Sequence, residues 1–126
     1  MNDYGFFRVA AAVPVVKVAA PMANARQCLE LVEKAYEKQV QVICFPELSI
    51  TGYSCGDLFL SRQLVDRAEQ ALEWLLQQTA KMDIIIIAGM PLRVSSSLLN
   101  GAVVLHKGCI IASVAKTFLC EESGER

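Results

Sequence analysis

Val42-Ile43-Cys44-Phe45-Pro46-Glu47-Leu48, continued by Ser49-Ile50-Thr51-Gly52-Tyr53, is the stretch on which the fold of this chain turns. Its head is apolar and β-branched, the mark of a buried strand. Pro46 has no N–H to give a ladder and ends that strand, so Glu47 is delivered at the carboxyl end. In open α/β sheets ligands sit in the crevice outside the carboxyl ends of the strands, and a carboxylate there points to chemistry. The plainer reading, a solvated loop carboxylate or a helix N-terminal charge, has to be weighed against the rest of the chain.

Upstream, Phe7-Arg8-Val9-Ala10-Ala11-Ala12-Val13 reads as a first strand, and residues 14–21 as a connection. Ala25, Leu29, Val32, Ala35 and Tyr36 then recur at three- and four-residue steps, with Glu30, Glu33, Lys34, Glu37 and Lys38 on the other face. This spacing predicts a first helix, with Asn24 as its N-cap.

Downstream, Thr51-Gly52-Tyr53-Ser54-Cys55-Gly56-Asp57 reads as a loop. A second helix is predicted over 61–81, with Leu64, Val65, Ala68, Ala71, Leu72, Leu75 and Leu76 on one stripe and Trp74 at its edge. Ile84-Ile85-Ile86-Ile87-Ala88 is continuously apolar, as in a strand covered on both faces, and Gly89 and Pro91 are expected to close it. Residues 99–105 and 109–115 read as two strands joined through His106-Lys107-Gly108, where Gly108 supplies the turn's backbone freedom. His106, at that turn, is expected to be exposed and inert.

The order strand, helix, strand, helix, strand, hairpin implies an α/β (α+β) mixed sheet with its two helices on one face and the other face bare. The apolar fraction, 54% with only 20% charged residues, is high for a lone domain and agrees with surface awaiting cover. At 126 residues the chain is one domain at most.

A net charge of −1 without blocks of like charge gives no electrostatic footprint for nucleic acid. The five cysteines, Cys28, Cys44, Cys55, Cys109 and Cys120, are odd in number and form no C-x-x-C pair, as in reduced cytosolic thiols rather than a disulfide frame or zinc site. Cys44 is expected to be a small core residue and Cys28 to lie in the first helix. The single histidine rules out a multi-histidine metal site. The apolar stretch 9–20 follows Asp3 rather than a basic segment and is broken by Pro14 and Lys17, so it does not read as an export signal. No apolar run approaches the ~18 residues of a membrane span. A soluble, cytoplasmic chain is expected.

Phe45-Pro46-Glu47-Leu48 with Thr51-Gly52-Tyr53, and Val114-Ala115-Lys116-Thr117-Phe118-Leu119, resemble the nitrilase or carbon–nitrogen hydrolase superfamily. Within it they look like the N-terminal glutaminase domains of the glutamine-dependent NAD synthetase family. The resemblance runs from about residue 7 to 119. It implies an α-β-β-α sandwich of which this chain supplies roughly the first half, residues 1–119, followed by a polar tail over 120–126 expected to be disordered.

It also implies a Glu-Lys-Cys triad: Glu47 as the general base that takes the thiol proton, and Lys116 as the cation that steadies thiolate and oxyanion. Leu99-Asn100-Gly101-Ala102-Val103-Val104 resembles the family strand in which Asn100 supports the site; a strand-start residue bonding local backbone is the simpler role. No cysteine of this chain matches the family's nucleophile, which lies well downstream of the lysine. Cys120 follows Lys116 too closely for the three groups to converge.

What the resemblance implies, then, is part of a glutamine amidohydrolase that supplies ammonia for NAD formation. Glutamine would be the substrate of the whole enzyme, the remainder of the domain and a synthetase domain its partners, and a homo-oligomer its assembly. ATP and magnesium are implied only for that synthetase domain, with no cofactor or metal in this chain. The chain alone is expected to be inactive. The alternatives are part of another amidase of the superfamily, or a non-catalytic interaction module.

Overall fold

The computed structural model describes residues 7–17, 20–46, 49–50, 62–94 and 97–115. Seven elements follow in chain order: β1 (Val9–Ala11), α1 (Pro21–Glu37), β2 (Val42–Cys44), α2 (Arg62–Gln78), β3 (Ile85–Val94), β4 (Ser97–His106) and β5 (Cys109–Ala115). The strands form one sheet in the order β1-β2-β3-β4-β5. β1, β2 and β3 are parallel neighbours; β4 and β5 add antiparallel. Parallel neighbours require crossovers, which α1 and α2 provide, while antiparallel ones need only a tight turn. The mixed sheet with two helices agrees with the expectation from sequence.

Both helices cover one face. Ile43, Phe45, Ile86, Ala88, Val103 and Leu105 are buried there against Ala25, Cys28 and Val32 of α1 and Ala68, Ala71 and Leu75 of α2. Trp74 packs at the edge of this core and takes the Arg26 guanidinium over its ring, 5.8 Å from the centroid, which ties α2 to α1. The opposite face has no such cover among the described residues: Val9 is 65% exposed and Val114 64%, and Ile85, Ile87 and Val104 are only half-buried. Among the described residues this face is bare, as the order of elements in the sequence implies.

Several boundaries differ. β1 pairs over three residues rather than seven, because β2, its ladder partner among the described residues, pairs over just Val42, Ile43 and Cys44. Helix α1 begins at Pro21, where the fixed φ of proline suits the first turn, with Ala20 as the N-cap. Asn24 is thus not the cap; it lies inside the helix and its N–H bonds to the Ala20 carbonyl at 3.0 Å.

β3 does not close at Gly89 and Pro91 but runs on to Val94. The backbone groups of Ile85, Ile87 and Gly89 point away from β4: Ile85 N donates to Gln41, and the carbonyls of Ile87 and Gly89 accept from Phe45 and Ile50. Pro91 shares that parity, so its missing N–H falls on the side where β2 has already ended, and the β4 ladder loses nothing.

Cys44 is exposed instead of being in the core, because strand alternation points Ile43 at the helices and Cys44 at the bare face. Tyr36 is also exposed, at 41%, although it falls near the helical stripe.

The β4–β5 turn has positive φ at Lys107 (51°) and Gly108 (84°), the pair of left-handed residues a two-residue hairpin requires. His106 is half-buried rather than free: its Nε2 lies 2.9 Å from Asp83 Oδ1. This hydrogen bond is the main reason the Asp83 carboxyl sits below its ordinary range, with Lys107 and the imidazole charge adding to it. A depressed folded-state value contributes stability above the unfolded carboxylate pKa, near ~3.9, and that contribution is lost as pH falls through the lower folded value. Asp83→Asn is accordingly expected to lower the neutral plateau slightly and to flatten the acid limb of the stability–pH curve, the two proteins converging at low pH. Urea melts across that range check it, and an identical acid limb in the variant contradicts it.

Candidate functional site

Glu47 and Lys116, two of the three residues nominated from sequence, lie outside the described residues, as do Cys55 and the tail 120–126 with Cys120. The described backbone nearest to them is Phe45, Pro46, Ser49 and Ile50 around position 47, and Ala115 before position 116. At the carboxyl end of β2, Phe45 N donates to the Ile87 carbonyl at 2.8 Å, and its side chain is 5% exposed against the helix layer. Pro46 follows and ends the ladder.

The chain returns at Ser49 and Ile50, both buried. Ser49 Oγ accepts from Gly89 N–H at 3.2 Å, and Ile50 N–H donates to the Gly89 carbonyl at 3.1 Å, so the turn re-engages β3 two residues beyond the Phe45 anchor. Its other side is held by Asn24 of α1, whose Nδ2 donates to the Ile50 carbonyl at 2.8 Å. Positions 47 and 48 are thus bracketed by chain fixed to β3 and to α1.

β5 brings Ala115, the neighbour of position 116, to the same level of the sheet. Ala115 pairs with Gly101 of β4, and Gly101 pairs with Met90 of β3, adjacent to Gly89. From β2 to β5 there are three interstrand steps, a lateral backbone distance of about 14 Å, and the two strand ends are offset along the sheet from Ile87 to Met90 of β3.

Gly101 permits this approach. A Cβ there would stand 2.7 Å from the Val114 carbonyl oxygen and 2.3 Å from Leu92 Cδ1, distances real side chains do not tolerate. Asn100, the third nominated residue, is half-buried next to it, opposite Pro91 in the ladder and so on the bare-face parity.

Among the described cysteines, none is set up as a nucleophile at this end of the sheet. Cys28 is 0% exposed, and burial pushes its thiol up to about 12, far from a reactive thiolate. Cys109 opens β5 beside His106, at the end opposite Ala115. Cys44 points to the bare face, its Sγ 3.8 Å from the Phe45 carbonyl. Among the described residues no group of three or more His, Cys, Asp or Glu could hold a metal ion, and no helix is long and apolar enough to cross a membrane.

Two residues of this region are not singled out by motif reading: Asn24 and Ser49. The signal for Asn24 is its place on the buried stripe of α1, four residues before Cys28 and eight before Val32. A polar residue on an apolar stripe signals a specific hydrogen-bonding duty, since an unpaired buried amide is costly.

The carbon–nitrogen hydrolase family model matches residues 8–125. The glutamine-dependent NAD(+) synthetase of Mycobacterium tuberculosis is 34% identical over 117 residues, covering 93% of this chain and 17% of that protein. That of Aquifex aeolicus is 30% identical over 96 residues, covering 76% of this chain. The chain therefore spans about a sixth of the length of these curated relatives, 17% in each case. Among solved structures, the glutamine-dependent NAD(+) synthetase from Cytophaga hutchinsonii superposes with a TM-score of 0.83 at 28% identity, over 90% of this chain and 19% of its own. An amidase from Nesterenkonia sp. shares the fold at a TM-score of 0.72 and 20% identity, with 43% of its length covered.

Proposed function

Since the chain belongs to the carbon–nitrogen hydrolase family, we propose that it forms part of a glutamine-hydrolysing domain that releases ammonia for NAD formation. The observation that supports this reading is that β2 and β5 run in the same direction and end on the same side of the sheet, Cys44 aligned with Ile87 and Ala115, through Gly101, with Met90 three residues further along β3. In this reading Glu47 takes the proton of a cysteine thiol supplied by chain beyond this sequence. The thiolate attacks the glutamine amide carbon, Lys116 faces the oxygen on which negative charge develops, and the amide nitrogen leaves as ammonia once protonated. Asn100, next to Gly101 and on the bare-face parity of β4, has a supporting role in this reading.

A synthetase origin is favoured over another amidase by the sequence match to the glutamine-dependent NAD(+) synthetase of Mycobacterium tuberculosis, 34% identical over 93% of this chain. ATP and magnesium belong in this reading to a synthetase domain outside the chain. The free thiols Cys28, Cys44 and Cys109 suit a reducing cytoplasm. The bare apolar face is the surface on which the remainder of the domain would pack; left uncovered, it makes homo-oligomers of the isolated chain the expected state. Sedimentation velocity is the check: wild type associates, Val104→Lys shifts toward monomer, and a wild type that stays monomeric at high concentration contradicts it.

The test of function is ammonia release from glutamine. The 126-residue chain alone is expected to give none. A hybrid in which it replaces the matching segment of the Cytophaga hutchinsonii synthetase is expected to hydrolyse glutamine. A folded hybrid that is silent would refute the reading.

A further inference from the structure

Asn24 is 0% exposed and uses both ends of its amide. Its Oδ1 accepts from Lys17 N–H at 2.7 Å, and its Nδ2 donates to the Lys17 carbonyl at 2.7 Å and to the Ile50 carbonyl at 2.8 Å. One side chain thereby joins three pieces of chain: the connection before α1, the first turn of α1, and the turn after β2. Ser49 and Gly89 complete the clamp on the β3 side, through the 3.2 Å bond from Gly89 N–H to Ser49 Oγ and the 3.1 Å bond from Ile50 N–H to the Gly89 carbonyl.

A well-packed apolar residue at position 24 would bury as much surface without the desolvation of an amide, and the net gain from a buried neutral hydrogen bond is small. What the amide supplies, and an apolar side chain cannot, is a single fixed path for the chain it bonds. Ile50 is three residues from Glu47, and Phe45, on the other side, is already bonded to Ile87.

We propose that Asn24 is a positioning residue: with Ser49 and Gly89 it sets the backbone from which Glu47 is presented at the end of β2. The proposal rests on the reading of Glu47 as the general base. It assigns no contact of Asn24 with substrate; the amide acts through the turn.

The test uses the 126-residue chain and two variants, Asn24→Ala and Ser49→Ala, by NMR. The amides of Ile50 and Gly89 are expected to exchange about tenfold faster in Asn24→Ala, while those of Ile86 and Val103 keep their wild-type rates. The order parameter of the Glu47 amide is expected to fall below its wild-type value toward that of flexible backbone, below about 0.6. Ser49→Ala, which removes only the hydroxyl facing Gly89, is expected to lower it in the same direction and supplies the measurement if Asn24→Ala does not fold.

A uniform acceleration of exchange across the sheet marks a merely structural role and overturns the proposal. So does a Glu47 order parameter unchanged from wild type in the folded variants. Should Glu47→Gln leave glutamine hydrolysis by the hybrid intact, the base assignment fails by itself while the hold on the turn stands, so the two failures are separable.

Discussion

Replacing Glu47 by glutamine in the Cytophaga hutchinsonii hybrid is expected to lower kcat for glutamine hydrolysis by about two to four powers of ten, the usual contribution of a positioned general base. Glutamine keeps the shape and most of the hydrogen-bonding capacity of glutamate but cannot take a proton from a thiol near neutral pH. Binding of substrate is not expected to change much, so the loss falls on kcat rather than KM. Thermal unfolding of the hybrid is the control. The β2 end is held by backbone bonds from Phe45 and Ile50 to β3 and by the Asn24 amide, none of which involves the Glu47 carboxylate. An activity within a few-fold of the parent hybrid would return Glu47 to the plain reading of a solvated carboxylate.

The second large effect is one of packing. Gly101→Val is expected to unfold the isolated chain, or drive β5 off the sheet, and Gly101→Ala to cost about 3 kcal/mol, the upper end of the range for overpacked sites. The first added carbon meets the Val114 carbonyl at 2.7 Å, and a backbone oxygen in a paired strand cannot step aside as the tip of a flexible side chain can. Leu92 Cδ1, at 2.3 Å, could rotate away, but only by leaving its place against the core. The cost is therefore borne by the Gly101–Ala115 pair, the one that delivers position 116. Urea melts measure the loss. An alanine variant as stable as wild type would mean that β5 is free to move outward and that the Ala115 end is not held where its register implies.

The sheet with two crossover helices was legible because each element carries its own periodicity: the stripe from Leu64 to Leu75 repeats at helical steps, and Cys109 to Ala115 is bounded by Gly108 and lies entirely in β5. What was not legible depends on neighbours. Four isoleucines in a row do not say which side each faces, and neither does Val42-Ile43-Cys44; only the position of the helices makes Ile43 buried and leaves Cys44 exposed. Pro91 looks like a strand end until the length of β2 is known, because its missing N–H costs nothing only where the adjoining strand has stopped.

Asn24 shows the same limit in the site itself. An asparagine near a helix start reads as a cap, yet here Pro21 begins the helix and the amide is left to bond Lys17 and Ile50 across the fold. His106, alone in sequence, meets Asp83 only once the β4–β5 turn folds back. The nominated carboxylate and ammonium were read from motif resemblance. Their strand ends, by contrast, follow from register: Cys44 is aligned with Ile87, and Ala115 through Gly101 with Met90.

Carbodiimide coupling of the 126-residue chain, read out by peptide mass spectrometry, asks most directly whether the two strand ends present their charged groups to each other. The reagent joins a carboxylate to an amine without adding a spacer, so only touching groups are linked. An amide bond between the Glu47 and Lys116 side chains is expected, lost in Glu47→Gln. Coupling of other carboxylate–lysine pairs in the same sample, with none between 47 and 116, would contradict it.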